Sequence, residues 1–229
     1  MVSVIIPSYN RYDLLMNAIA SVHAQTFKKY EILVIDDCSD DERYSTTDWV
    51  GLGVSYFKTD HNYKNPFRAR NIGMYKAKNE LLAFIDDDDT WLPNKLEVQV
   101  PLMLDHYLFT STEAYYSNED YTYNSEKKYQ KYLTEKFWGF ISQHYKISEF
   151  PEIITRPMLE TWNILITSSV MIHRSLVYMC GIFVKDPLKP RWEDWVYFQK
   201  CLEHTDCHFI KEPLVFYNDA PRNKFISRT

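Results

Sequence analysis

Glycine is scarce in this chain, five in 229 residues, and no glycine-rich loop of the kind that cradles a phosphate is present. "GLGVSY" (51–56) has the first half of a dinucleotide fingerprint but lacks its third glycine and precedes a strand instead of following one. The four cysteines form no CxxC pair and no zinc-ligand spacing, so free thiols in a reduced compartment are expected. No run approaches the roughly 20 apolar residues of a membrane span. The opening "MVSVIIPSYNR" has too short an apolar stretch for a signal peptide, and Pro7 interrupts it. There is no Asn-x-Ser/Thr acceptor. A soluble, cytoplasmic protein is the expectation. Positive charge is also lacking: 26 Lys and Arg against 31 Asp and Glu leave a net charge of −5, which argues against a general nucleic-acid binder.

What the chain does have is apolar content and order. Hydrophobic residues make up 45%, enough for a substantial core. Continuous apolar runs at "VSVII" (2–6), "YEILVIDD" (30–37), "VSYFK" (54–58) and "ELLAFIDD" (80–87) read as buried strands. Between them, "RYDLLMNAIASVHAQ" places Leu14, Leu15, Ala18, Ile19 and Val22 on one helical face, and "FRARNIGMYKAKN" (67–79) reads as a helix. Pro93 opens another helix that runs to about His106. This alternation predicts an α/β fold, a doubly wound, mostly parallel (mixed) sheet with helices on both faces. Residues 107–160 are polar and Tyr-rich with weak periodicity, and are expected to form a hairpin with an irregular excursion, or a flap. "NILITSSVMIH" (163–173) reads as a strand, "RWEDWVYFQKCLEH" (191–204) as a helix, and "HFIKEPLVFYND" (208–219) as one or two closing strands. No domain boundary is visible.

In such sheets ligands bind beyond the carboxyl ends of the strands. Pro7–Arg11, Asp36–Asp37 and Asp86–Asp89 all fall there. Four consecutive aspartates repel one another unless a cation sits among them. Three readings fit that stretch. The carboxylates hold Mg²⁺ or Mn²⁺, which in turn holds a diphosphate. Or they form an acidic turn at the start of the helix near Pro93. Or Asp86-x-Asp88-x-Thr90 resembles the first motif of haloacid-dehalogenase phosphatases, with Asp86 as nucleophile and "NILITSS" imitating the second motif. Against the last, three strands precede the motif and no Gly-Asp pair occurs.

"VSVIIPSYNRYDLLMNAIASVHAQTFKKYEILVIDDCSDD" followed by "RARNIGMYKAKNELLAFIDDDDTWLPNKLE" resembles family 2 glycosyltransferases of the GT-A fold in order, spacing and the "DDDDTWLP" ending. "ITSSVMIHRSL…GIF…WEDWVYFQKCL" resembles the acceptor-side segment of that family, while 107–160 carries no resemblance. The resemblance implies one GT-A domain over residues 1–229, with 1–106 binding the nucleotide sugar and 107–229 the acceptor. It implies an inverting transfer from a uridine-diphosphate sugar to a hydroxyl of a glycan or other acceptor, dependent on Mn²⁺ or Mg²⁺.

By motif match, Pro7, Tyr9 and Arg11 frame the base pocket, and Tyr9 stacks on the ring. Asp37 accepts the uracil N3–H, which suits an acceptor-only carboxylate. Arg70 faces the base or diphosphate, and Asn71 braces that loop. Asp86 lies near the ribose with Asp87 beside it, and Asp88 holds the metal. Asp194 in "WEDW" is the base, next to Glu193, because inversion needs a proton acceptor opposite the leaving diphosphate. Arg222 and Lys224 are candidate diphosphate contacts. Without the resemblance, Glu193 and Asp194 are acids suited to a helix N-terminus. A non-catalytic nucleotide-sugar or glycan-binding module is the further alternative, and "WEDW" argues against it.

Overall fold

Every residue of β1 (Val2–Ser8) is buried, because the strand is covered on both faces. It lies between β2 (Tyr30–Asp36) and β4 (Leu81–Phe84), with β3 (Val54–Lys58) outside β2, and these four strands are parallel in the order β3-β2-β1-β4. The computed structural model describes residues 1–117, 130–185, 187 and 192–218. Helix α1 (Tyr12–His23) follows β1 and buries Leu15, Ala18, Ile19 and Val22. After β2 come a single turn, α2 (Arg43–Thr46), then β3 and α3 (Pro66–Lys76). Alternate residues of β2 divide between two clusters: Ile32 and Val34 join the large core, whereas Leu33 and Ile35 pack with Ala69 of α3. That division is the signature of a sheet covered on both faces.

Two local features place α3 closely on the sheet. The Asn65 side chain accepts from Phe67 N at 3.0 Å, and Pro66 opens the helix, so its start is capped by an Asn-Pro pair. At Gly73 an added Cβ would meet Ile5 Cγ2 at 2.3 Å, so only hydrogen lets the helix backbone approach β1 this closely.

Beyond β4 the sheet becomes mixed. Strand β5 is short (Thr90–Trp91) and α4 spans Lys95–Asp105. Strand β6 (Phe109–Ser117) precedes α5 (Tyr132–Tyr145), β7 (Ile153–Ile154), α6 (Arg156–Thr161), β8 (Met171–His173), α7 (Arg174–Cys180), α8 (Glu193–Cys201) and β9 (Cys207–Asn218). The order continues β4-β8-β6-β9-β5, with β7 also on β9, in one nine-stranded sheet. β8 runs antiparallel to β4 and β6, while β6 and β9 are parallel, with a register shift where Glu113 meets Pro213. Proline has no N–H to give a ladder, which accounts for the irregularity there.

Two expectations need correction. Residues 163–173 are not one strand: Thr167–Ser169 form a 3₁₀ turn and only Met171–His173 pair. The turn takes three hydroxyl residues out of the sheet, and two of them, Thr167 and Ser168, bond acids at its edge. Nor is the Tyr-rich middle only a hairpin with an irregular excursion or a flap, since it holds the 14-residue helix α5 beside β6. The α5 N-terminus is capped from outside: Glu113 on β6 accepts from Leu133 N and Thr134 N, each at 2.8 Å. A cap supplied twenty residues upstream leaves no local signal.

Candidate active site

The ends of β1, β2 and β4 deliver Tyr9–Arg11, Asp37 and Asp86–Asp89 to one edge of the sheet. A cation of the chain itself sits among the aspartates: Arg11, expected at the base pocket. Its Nη1 donates to Asp87 Oδ1 at 3.0 Å and to Asp88 Oδ2 at 2.7 Å. The Arg11 N–H in turn donates to Tyr44 OH at 3.0 Å, and that hydroxyl shares a 2.7 Å hydrogen bond with Ser8 Oγ. Burial pushes the Tyr44 hydroxyl up to about 12, so it stays protonated beside the acids. Burial works against the charged form of Arg11, but Asp87, Asp88 and Asp86 outweigh it and hold the guanidinium charged.

The four aspartates have different surroundings. Asp86 and Asp88 keep 28% and 21% of their side chains exposed, against 7% for Asp87. Burial pushes Asp87 up to about 7, with Arg11 opposing and Asp88 adding to the rise. Asp89 is buried and structural: its Oδ1 accepts from Asn218 N at 2.8 Å and its Oδ2 from Ser168 Oγ. Burial and the neighbouring Asp88 and Asp86 raise its pKa well above the usual carboxylate range. The Ser168 hydroxyl also accepts from Asp86 N at 2.9 Å, so one side chain pins both ends of the aspartate loop.

Arg70 sits on α3 and is 3% exposed. Its Nη2 donates to Asp86 Oδ1 at 2.6 Å and its Nη1 to Glu193 Oε1 at 3.4 Å. Burial disfavours its charge, yet Asp86, Asp194 and Glu193 together keep it cationic. Glu193 is itself buried, which raises its pKa against the pull of Arg70. Next to it, Asp194 accepts from Thr167 Oγ1 at 2.9 Å on Oδ2 and from Trp195 N at 2.7 Å on Oδ1. Asn71 exchanges two hydrogen bonds with the backbone of Phe183, at 2.8 and 3.0 Å, bracing the segment that leads toward α8.

Tyr9 keeps 39% of its surface exposed at the edge, and Pro7 is buried within β1 opposite Ile35. Asp37 accepts from Tyr63 N at 3.0 Å and Lys64 N at 3.1 Å, so it orders the loop after β3. Burial raises its pKa and those two amides oppose the rise. Arg222 and Lys224 lie outside the described residues. Trp195 is half-buried with its Nε1 donating to Leu159 O, while Trp192 is exposed. Thr167, Ser168 and Tyr44 were missed as site residues. The only signal for the first two was a run of hydroxyl residues after an apolar segment.

Among the described residues no three His, Cys, Asp or Glu groups converge as a cage for an ion. The partly exposed carboxylates of Asp86 and Asp88, each with one oxygen ion-paired to an arginine, fit a different case, a hard divalent ion brought with a diphosphate and completed by phosphate oxygens and water.

A sequence profile of Glycosyl transferase family 2 matches residues 3–160. The chain belongs to that family. The match runs through the middle segment in which sequence reading found no resemblance. Among curated relatives of this glycosyltransferase family member, a Rickettsia felis protein named only as an uncharacterized glycosyltransferase is 35% identical over 156 residues, 67% of this chain and 23% of that one. A UDP-Glc:alpha-D-GlcNAc-diphosphoundecaprenol beta-1,3-glucosyltransferase, WfgD of Escherichia coli, is 37% identical over 105 residues, 45% of this chain and 41% of that one. The chain thus spans less than half the length of either relative.

Solved structures agree on the fold. S. aureus TarS 1-349 in complex with UDP-GlcNAc superposes with a TM-score of 0.71 at 15% identity, covering 100% of this chain and 61% of that one. The mannosyltransferase PcManGT from Pyrobaculum calidifontis, in complex with GDP-Man and Mn2+, gives 0.67 at 18% identity, covering 98% and 58%. The fold is the expected GT-A fold. Nothing in these likenesses supports the phosphatase or the non-catalytic module. No helix among the described residues is long and apolar enough to cross a membrane.

Proposed function

We propose that the chain carries an inverting glycosyltransferase that moves a sugar from a UDP-sugar to a hydroxyl of a glycan acceptor, with Asp194 as general base. The observation that supports it most is the reach of Arg70. One guanidinium bonds Asp86 in the aspartate loop and Glu193 at the start of α8. Asp194 therefore stands across a single side chain from the loop that would hold the diphosphate. In an inverting step the acceptor oxygen attacks the anomeric carbon, the bond to the diphosphate breaks, and the acceptor proton passes to Asp194. Arg70, buried and held cationic, lies where it can stabilise the charge that develops on the departing nucleotide.

Asp88, with Asp86 beside it, would hold Mn²⁺ or Mg²⁺. When bound, such an ion neutralises diphosphate charge as the nucleotide leaves. Tyr9 offers an exposed ring for the base, and the Asp37 oxygens have lone pairs beyond those engaged by Tyr63 and Lys64 for the uracil imide. Uridine is favoured over guanosine because the WfgD name specifies UDP-Glc and TarS was solved with UDP-GlcNAc. That same name specifies a lipid diphosphate-linked GlcNAc acceptor, which makes a glycan hydroxyl the working acceptor. Residues 1–106 would form the donor half and 107–229 the acceptor half.

The test is a calorimetric panel of UDP- and GDP-sugars with and without Mn²⁺. Selective, Mn²⁺-enhanced binding of a UDP-sugar supports the reading; equal indifference to all of them overturns it.

A further inference from the structure

The turn Thr167–Ser169 touches both sides of the proposed reaction centre. Ser168 pins the aspartate loop through Asp86 N and the Asp89 carboxylate. One residue earlier, Thr167 is buried at 4% exposure and donates its hydroxyl to Asp194 Oδ2 over 2.9 Å. The turn has little freedom to shift. Ser168 O accepts from Trp91 Nε1 at 2.8 Å, Ser169 O accepts from Gln99 Nε2 at 3.0 Å, and Ser169 Oγ donates to Ile166 O at 2.7 Å. These partners come from β5, α4 and the preceding strand-like segment, so the Thr167 hydroxyl is fixed relative to the sheet.

Asp194 sits in the first turn of α8, where the following amide is its local partner. Trp195 N holds Oδ1, and the second oxygen takes its direction from Thr167. We propose that Thr167 is the positioning residue for the base: it aims the Asp194 carboxylate and ties it to the same turn that sets the aspartate loop. Donor phosphates and proton acceptor are then held at a set separation by two consecutive residues. A hydroxyl is needed here for its hydrogen bond, and valine, which has the same shape, cannot supply it. This inference rests on the reading of Asp194 as base.

The experiment measures UDP release from a panel of UDP-sugars (glucose, N-acetylglucosamine, galactose, glucuronate) with Mn²⁺, in water and with a synthetic GlcNAc-diphosphoryl lipid as acceptor. Proteins compared are wild type, Thr167→Val, Thr167→Ser, Asp194→Asn and the Thr167→Val/Asp194→Asn double variant. Thr167→Val is expected to lower kcat about 10- to 100-fold, as a displaced reacting group does, with the donor KM unchanged. Thr167→Ser regains most of that loss. The double variant turns over no more slowly than Asp194→Asn alone, because Thr167 acts through that carboxylate. A Thr167→Val protein with wild-type kcat, or a double variant slower than Asp194→Asn, overturns the positioning role. Undiminished turnover in Asp194→Asn, or no UDP release by wild type from any donor, overturns instead the reading beneath it. Melting temperatures separate both from misfolding, and Thr167→Ser keeps the test decisive where the valine variant is unstable.

Discussion

Arg11 Nη1 lies 2.7 Å from Asp88 Oδ2, and the same nitrogen holds Asp87 at 3.0 Å. The acidic run is therefore neutralised in part from within the chain, before any ion or substrate arrives. Three strands separate these residues in sequence, and the parallel pairing of β1 with β4 brings them together. The cation that the like charges demand comes from the turn after the neighbouring strand.

Removing that cation should be costly. Arg11→Ala leaves two largely buried carboxylates facing each other, and a loss of about 1–3 kcal/mol in stability is expected. Urea unfolding checks it. Because Asp87 already stands near 7 through burial, an unchanged midpoint at neutral pH shows that protonation, and not Arg11, relieves the repulsion.

Asp194→Asn should bind donor as wild type does and lose at least about 100-fold in transfer. Calorimetry with UDP and Mn²⁺ gives the first quantity and radiolabelled sugar transfer the second. Near-normal transfer removes Asp194 as the base.

Asp88→Ala should remove the Mn²⁺ enhancement of UDP binding and leave the fold intact. Calorimetry with and without EDTA reads this directly. If Mn²⁺ strengthens UDP binding in the variant as it does in wild type, the ion is held elsewhere.

Lys95 is fully buried, donating to Gln99 Oε1 and lying 4.1 Å from the Trp91 ring centroid. Burial lowers its pKa well below the ordinary 10.5. Between the lowered folded value and the unfolded one, the unfolded chain binds more protons, so stability rises with pH. Wild type should gain more stability than Lys95→Met between about pH 7 and about pH 9.5, measured by urea unfolding. Identical gains show that Lys95 does not titrate in that window.

Gly73→Ala should destabilise by about 1–3 kcal/mol through overpacking against Ile5. Ile5→Ala opens space at the contact, so the double variant should cost less than the sum of the singles. Strict additivity shows that the helix shifts to accommodate the methyl group.

The four parallel strands, helices α1 and α3 and the polar clusters at the strand ends are legible in the letters alone, because apolar period and strand-end acids are local properties; the single turn of α2 is not. β3 keeps the expected span Val54–Lys58, and of the expected α1 face Leu15, Ala18, Ile19 and Val22 are buried while Leu14 is only partly so. The family is legible in the same way, from several short motifs in order at fixed spacing, whereas the aspartate run alone leaves three readings open. Other features were decided only by the folded chain. Arg70, expected to face the base or diphosphate, is buried between Asp86 and Glu193; Glu113 caps a helix twenty residues away; Thr167 and Ser168 leave an apparent strand to bond Asp194 and the aspartate loop. Each depends on partners distant in sequence, and pairing across the sheet selects such partners, whereas local pattern cannot. The four aspartates show the difference most plainly: adjacency marked them as a site, and tertiary contacts gave them separate surroundings, with Asp86 on Arg70, Asp87 and Asp88 on Arg11, and Asp89 on Ser168 and the end of β9.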